Sequence, residues 1–547
     1  MGLETDVAVV GSGAAGLCSA LAAADHGARV TVLECSAWVG GTTAVSGGGI
    51  WVPQNHHMAG LGIEDSREEA LAYCRRMVDG RMPDELIETF VDNAPRVVRY
   101  LEDRTRLRLH AMSWPDYHPE MVGAKRAGRM LEPDVFDTAV LGEWATRVRV
   151  APVLHLPITL EEQTVTWQLP YTPEKLDRGL VKARASSGQV TVGRALVASL
   201  LAGCLDRGVR VLTGARARRL LVDGSGRIGG VRYGSAGGPV DLPTAAVVLA
   251  SGGFEWSEDL KRSFLFGPLS APTSPPTNEG DGLRMAMQVG AGLANMTEAW
   301  WYPASSVPGD TYEDRPLSRF VGTERTAPHS LLVNRLGQRF VNESANYNDM
   351  MKALYHFDAN GSYWRNIPCW SVMDSQYRRR YAIAAARPGG PDPEWLIRAD
   401  TLHGLADRLG VDAARLAATV ERFNGFARDG KDGDFGRGDS YYDRFQGDPR
   451  ATHPNLGTVE EPPFYALEVH PGCVGTKGGP ITNCRAEVLD VQGEVIDGLL
   501  AAGNVAASPA GGAYFGGGCS IAMALTWGYL AGITAATRLG AAATFDT

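Results

Sequence analysis

The sequence predicts an α/β fold: a Rossmann-like domain built on a parallel sheet and interrupted by an inserted α+β domain. Three observations carry that prediction. The chain opens with a strand–turn–helix–strand unit whose turn is packed with glycine. Two further apolar runs that read as strands of the same sheet lie far downstream, the last of them near the C-terminus. Between them, from about Trp300 to about Val469, the composition shifts to tryptophan, proline and charged stretches such as Phe426 to Phe445.

The opening unit runs from the apolar strand Asp6 to Val10 through Gly11-Ser12-Gly13-Ala14-Ala15-Gly16 into a helical stretch ending at Gly27. A second β-branched run, Arg29 to Leu33, closes with Glu34. This is a complete βαβ unit. Its glycines let a helix N-terminus approach a pyrophosphate, and the acid after the second strand takes a ribose hydroxyl. An acid there selects an adenosine ribose with a free 2'-hydroxyl, so FAD or NAD rather than NADP.

The residues beyond this unit favour a flavin. Glu34 to Pro53 is a Gly/Ser/Thr loop that lets backbone N–H groups crowd around a phosphate and then a flat ring. Ala245 to Ser257 is a strand ending in a small-residue turn, and Val495 to Ser508 is an apolar strand whose Asp497 and Asn504 flank a glycine turn. Together these segments resemble the flavoproteins of the two-dinucleotide-fold type. In that family the late Gly-Asn pair lies along the ribityl chain and isoalloxazine, which the resemblance places on Gly503 and Asn504. FAD is therefore the expected cofactor. The residues expected to contact it are Gly11, Gly13, Ala14, Ala15, Gly16, Glu34, Gly41, Thr42, Thr43, Ser46, Gly47, Gly48, Ala217, Ser251, Gly252, Gly503, Asn504, Ser520 and Ile521.

The expected architecture is thus a Rossmann-like FAD-binding domain, residues 1–300 with a return segment 470–547, and an inserted α+β cap domain, residues 301–469, that carries catalytic residues. Asn278 to Leu293 reads as a turn and helix of the FAD domain, and Ala215 to Gly234 as a structural hairpin. A length of 547 residues suits this division, since single cores stop growing at about 250 to 300 residues.

Composition excludes several classes. The 66 glycines follow no three-residue period, which excludes collagen, and 12 Trp, 17 Tyr and 15 Phe exclude a disordered chain. A net charge of -9 without a Lys/Arg block argues against a nucleic-acid partner. The eight cysteines are scattered with no CxxC pair and read as reduced thiols, with no metal site expected. His56 and His57 receive no role, because no third ligand is in reach by sequence. Met1 leads directly into the first strand, which leaves no room for a secretion signal, so a cytoplasmic protein is expected. Gly498 to Thr537 carries no charged side chain, but Asn504, Ser508, Pro509 and several glycines interrupt it. It reads as a buried, ligand-facing loop and helix rather than a membrane span.

Three segments place a tyrosine beside small or polar residues without a core period: Tyr117 in SWPDYHPE, Tyr347 in RFVNESANYNDMM and Tyr514 in GGAYFGGGCS. Here the likeness becomes specific. The sequence resembles the 3-ketosteroid Δ1-dehydrogenases over nearly its whole length, through the N-terminal fingerprint, Trp114 to Pro133, Asn334 to Tyr347, Arg422 to Pro449, Pro471 to Gly479 and the closing AAGNVAASPAGGAYFGGG. The resemblance makes Tyr347 the catalytic base and Tyr117 its hydrogen-bonding support. It assigns the grip on the C3 carbonyl to Tyr514 and the backbone N–H of Gly518. One departure stands out: Phe515 and Gly517 occupy positions where the family loop has prolines, which changes loop stiffness and pocket shape.

The implied reaction is 1,2-dehydrogenation of a 3-ketosteroid. The C2 proton passes to Tyr347, the C1 hydride to flavin N5, and the electrons go on to a quinone-like acceptor. The carbonyl makes the C2 proton acidic, and donors aimed at its oxygen stabilise the developing enolate. Two related readings stay open, a 3-ketosteroid Δ4-(5α)-dehydrogenase and a fumarate reductase-like ene-reductase. The latter clamps a dicarboxylate with Arg and His, and Ala501 to Thr537 contains neither, which favours a neutral, apolar substrate. A catalytically silent flavin-binding protein is the alternative outside enzymes.

Overall fold

The computed structural model describes residues 4–153 and 155–539, so the two chain ends of the expected FAD domain lie outside the described residues. A six-stranded sheet forms its first layer. Strand β1 (Val7–Val10) is central, between β2 (Val30–Leu33) and the strand Ala246–Leu249. Beyond these stand Arg210–Leu212 on one side and Val495–Ala501 then Glu487–Leu489 on the other. All pairings are parallel except the antiparallel edge strand Glu487–Leu489. Parallel sheets are covered on both faces, which is why β1, β2 and Ala246–Leu249 are buried throughout and read as unbroken apolar runs.

Small residues set how closely the helices approach. Helix α1 (Ala14–Asp25) packs against Cys519–Thr537 and Val192–Asp206. A Cβ on Gly16 would lie 2.0 Å from the Gly11 carbonyl oxygen, and one on Gly528 2.5 Å from that of Ala15. Cys519–Thr537 is the described helix long and apolar enough to cross a membrane, but it is mostly buried within the protein and serves as a core helix. The expected hairpin is part of a three-stranded sheet, Ala217–Val222, Ile228–Ser235 and Gly238–Pro243. The third strand escapes the sequence reading because it is largely exposed and begins with glycine and ends with proline, which signal a turn.

A second sheet forms the other layer. Its main path runs Arg315–Phe320, Ala299–Tyr312, Phe464–Thr476, Cys369–Met373, Ser330–Asn334, with antiparallel neighbours. Helices Leu402–Leu409 and Ala413–Asp429 cover one face of it, burying Leu405, Leu416, Val420 and Phe423 against Leu331, Val333, Trp370 and Val372. A cavity lies between the layers, above the carboxyl ends of the parallel strands. Gly11, Glu34, Ser251 and Gly503 each stand just after such a strand and line it.

Candidate active site

The cavity has a volume of about 790 Å3. Every residue expected to contact flavin lines it except Gly16, and so do Tyr117, Tyr347, Tyr514 and Gly518. Gly16 faces the neighbouring backbone instead, where a side chain would collide with the Gly11 carbonyl. Its place in the motif is to bring helix and strand together.

The cradle is specific in its chemistry. Gly11 has φ +107°, and a Cβ there would sit 2.3 Å from the Ala250 carbonyl oxygen. Thr43 closes the N-terminus of α1, accepting the Ala14 N–H at 3.1 Å on Oγ1. The Glu34 carboxylate, at the end of β2, accepts from the Ser12 hydroxyl and, at 2.9 Å, from the Ser36 N–H. Asn278 donates to Thr42 Oγ1 and to the buried Glu255. The Ser251 hydroxyl is buried without a partner and lines the same cavity. A helix N-terminus capped by glycine, a fixed acid and a hydroxyl with no partner among the described residues fit a pyrophosphate, a ribose and a polar ring edge.

Five tyrosines from separate segments meet over this cradle. The Tyr117 ring lies 5.4 Å from Tyr347, 5.1 Å from Tyr514 and 5.3 Å from Tyr442, all edge-on. Tyr347 and Tyr514 are 5.7 Å apart, and Tyr302 meets Tyr347 at 5.3 Å. Edge-to-face packing suits the ring quadrupoles and leaves the hydroxyls free to converge. The Tyr347 hydroxyl lies close enough to those of Tyr117 and Tyr514 for each to act on its ionisation, and the Gly518 N–H and Ser520 hydroxyl act on that of Tyr514. Burial raises the phenol pKa values of Tyr117, Tyr347 and Tyr514. Gly518 caps the helix Cys519–Thr537 at φ +91°, and a Cβ on it would strike Gly49 at 2.3 Å. Its N–H therefore belongs to the positive end of a 19-residue helix.

The loops that carry these residues are tied together. Tyr117 N–H and the Tyr73 hydroxyl both donate to the Phe515 carbonyl, at 3.1 and 2.7 Å. The Phe515 ring is buried among Trp51, Tyr73 and Phe90, and Gly517 leaves room for Met130. Aromatic packing thus holds the loop at Phe515. Beside Tyr117, Asp116 accepts from Trp51 Nε1 and from Arg129, which also makes a fork to Asp65. Lysines hold the other side: Lys352 donates to the Gly512 carbonyl and Lys477 to that of Ala513, both at 2.7 Å.

Sequence reasoning passed over several residues of this wall. Tyr302, Phe320, Tyr442, Arg319 and Arg325 line the cavity. Tyr442 sits in a stretch notable for its charge, and the others come from segments with no motif. The expectation of a cation-free pocket rested on Ala501 to Thr537; Arg319 and Arg325 enter from the other layer. His56 and His57 also differ from expectation, since Glu102 accepts from both rings, at 3.0 and 2.9 Å. The third partner comes from the long helix Asp84–Arg104, far away in sequence.

Comparison with known proteins agrees with this geometry. The family described as FAD binding domain matches residues 6–521. The chain is 43% identical to the 4-oxocyclohexanecarboxylate 2-dehydrogenase of Sinomonas cyclohexanicum, covering 99% of this chain and 94% of the relative. It is 37% identical to a 3-oxosteroid 1-dehydrogenase of Mycolicibacterium smegmatis, covering 99% and 98%. The structure of the 3-ketosteroid Δ1-dehydrogenase of Sterolibacterium denitrificans in complex with 1,4-androstadiene-3,17-dione superposes with a TM-score of 0.90 at 34% identity, covering 97% of this chain and 99% of that one. The chain belongs to the 3-ketosteroid dehydrogenase family of FAD-binding flavoproteins. This dehydrogenase is accordingly an FAD-dependent oxidoreductase acting on CH–CH bonds, an FAD-binding domain with a cap, and its glycine-rich cradle fits that cofactor.

Proposed function

We propose that this dehydrogenase desaturates the ring bond next to a ketone, taking a 3-ketosteroid at C1–C2. The observation that carries the reading is the meeting of Tyr117, Tyr347 and Tyr514 with the Gly518 N–H at one point of the cavity wall. FAD, when bound, supplies the acceptor for the C1 hydride. The protein's own groups do the rest. Burial keeps Tyr514 protonated, so its hydroxyl and the Gly518 N–H act as donors toward the C3 carbonyl and stabilise the enolate as the C2 proton leaves. Tyr347 receives that proton, and the hydrogen bond from Tyr117 favours its anionic form. The apolar walls, with Trp114, Phe320 and Phe445 among them, exclude water from the reacting carbons. The flavin contacts are those of the cradle, from Gly11 and Glu34 to Ser520 and Ile521.

The chain holds one dinucleotide fingerprint, which the flavin takes, and this supports a diffusible quinone-like acceptor for the electrons. Eight free cysteines support a cytoplasmic setting. A second substrate reading has its own support: Arg325 in the cavity wall, with no carboxylate partner among the described residues, suits a cyclohexanone that carries a carboxylate, as the substrate named for the Sinomonas relative does, whereas Arg319 in the same wall is paired with Asp310 at 2.6 Å.

Anaerobic mixing of the FAD-loaded protein with androst-4-ene-3,17-dione, and separately with 4-oxocyclohexanecarboxylate, tests both. Bleaching of the flavin by the steroid supports the first reading, and bleaching by the acid alone supports the second. A flavin that stays oxidised with both overturns the proposed desaturation.

A further inference from the structure

Tyr347 poses a problem that its hydroxyl partners do not solve. Burial and the neighbouring Tyr514 push its phenol upward, and the bond from Tyr117 opposes them. A base for a carbon acid nevertheless has to reach the phenolate. The wall behind it contains a charge of the right sign.

Arg325 lies in the short helix Thr323–Thr326 and is 1% exposed. Its Nε donates to the Val321 carbonyl at 3.2 Å, and its Nη1 to the carbonyls of Glu343 and Ala345 at 2.5 and 2.8 Å. Among the described residues it makes no ion pair with a carboxylate. A buried guanidinium without an anionic partner is costly to keep. Its charge faces the Tyr442 phenol, the Asp443 carboxylate and the phenols of Tyr117 and Tyr347, and it acts on Tyr302 as well. The two carbonyls it holds belong to the N-E-S-A-N turn that delivers Tyr347, the second of them two residues upstream of that ring.

We propose that Arg325 is a positioning residue for Tyr347, fixing the turn that carries the ring and supplying the positive charge that stabilises its phenolate. The inference rests on the reading of Tyr347 as the base. On the helix of Tyr347 itself, Asp349 is paired with His118 at 2.7 Å and flanked by Lys352. From the Tyr441–Phe445 helix, Asp443 is the carboxylate that faces Arg325, and it is occupied by Asn342 and the Gly438 N–H. From the turn after the strand Phe464–Thr476, Lys477 lies over the rings of Trp300 and Tyr514, at 4.1 and 5.8 Å. Tyr117, Tyr302, Tyr442 and Tyr514 complete the shell. Arg325 is the member whose charge bears on both Tyr117 and Tyr347 without being spent in an ion pair.

The test compares FAD-loaded wild-type protein with Arg325→Met, Arg325→Lys and Tyr347→Phe, following anaerobic flavin reduction by a substrate that bleaches the wild type. Rates are taken from about pH 6 to about pH 10. The expected result for Arg325→Met is a midpoint for activation displaced upward by about one pH unit or more, with the rate partly recovered at high pH. Arg325→Lys keeps the charge and loses the fork, so its midpoint stays near that of the wild type while its rate falls. If the methionine protein does not retain FAD, the lysine variant carries the test alone, and a displaced midpoint there overturns the proposal. So does a methionine variant slowed by the same factor at every pH. Flavin reduction at the wild-type rate in Tyr347→Phe is a distinct outcome, because it removes the base assignment itself and this role of Arg325 with it.

Discussion

The Tyr117 ring stands edge-on to that of Tyr347, with centroids 5.4 Å apart and planes at 72°, and the Tyr117 hydroxyl acts on the ionisation of the Tyr347 phenol. Removing only the oxygen of Tyr347 preserves this packing. Tyr347→Phe is therefore expected to fold and to bind FAD as the parent does, while the rate of flavin reduction falls by about 10²- to 10⁴-fold, the usual contribution of a general base. Tyr117→Phe removes a supporting bond and is expected to cost less. Stopped-flow absorbance of the flavin reads both; a Tyr117 variant slower than the Tyr347 variant would reverse the two roles.

Tyr514→Phe separates carbonyl binding from stability. The Tyr514 ring keeps its contacts with Trp300, at 4.7 Å, and with Tyr117. The loss of one of two donors to a developing enolate is expected to lower kcat by about 10²- to 10³-fold, with the Gly518 N–H left in place. KM changes less, since the donor serves the transition state more than the ground state. A fall in Tm that tracks the loss of rate would mark Tyr514 as a packing residue.

The cradle was legible in the sequence because backbone geometry demands glycine there. Gly11 and Gly518 both hold positive φ against neighbouring backbone, and no other residue type fits. The continuous apolar strands β1 and Ala246–Leu249 announced a parallel sheet for an equally direct reason, burial on both faces. Tyr117, Tyr347 and Tyr514 were found through motif resemblance, since nothing in their local spacing says that their rings meet. Tyr302, Phe320 and Arg325 were missed because they reach the cavity through cross-strand pairing and a short helix, and neither leaves a local pattern. Arg325 has ordinary neighbours in sequence, and what sets it apart is that no carboxylate among the described residues pairs with it. Glu102 joined His56 and His57 by the same kind of long-range packing.

Arg129 ties the Tyr117 loop to the protein by charge. It bridges Asp65 and Asp116, and all three side chains are 1% exposed. Arg129→Met leaves two buried carboxylates without their cation, a change expected to cost about 3–5 kcal/mol of folding stability. Burial already pushes the Asp116 carboxyl upward, so this acid is the one to protonate once the arginine is gone. Adding Asp116→Asn to the variant removes that burden and is expected to restore part of the loss. Urea unfolding of the single and double variants measures it, and strict additivity of the two substitutions would show that the pair is not coupled.

Lys477 gives the protein a pH dependence that can be isolated. The side chain is fully buried, and burial together with nearby Lys352 brings its pKa down to about 7 from the usual 10.5. Between these values the unfolded chain binds a proton that the folded protein does not, so stability rises with pH across this window. It falls again as pH drops toward about 7, below which both states carry the proton and the cost of burying the charge is fully present. Methionine is of similar length and cannot ionise. The difference in unfolding free energy between wild type and Lys477→Met is therefore expected to shift in favour of the wild type from about pH 7 to about pH 10. Cysteine and tyrosine titrations present in both proteins cancel from that difference. Chemical denaturation at a series of pH values gives it directly; a difference that does not vary with pH would mean that Lys477 folds as an ammonium of ordinary pKa, held by the Ala513 carbonyl and the face of Trp300.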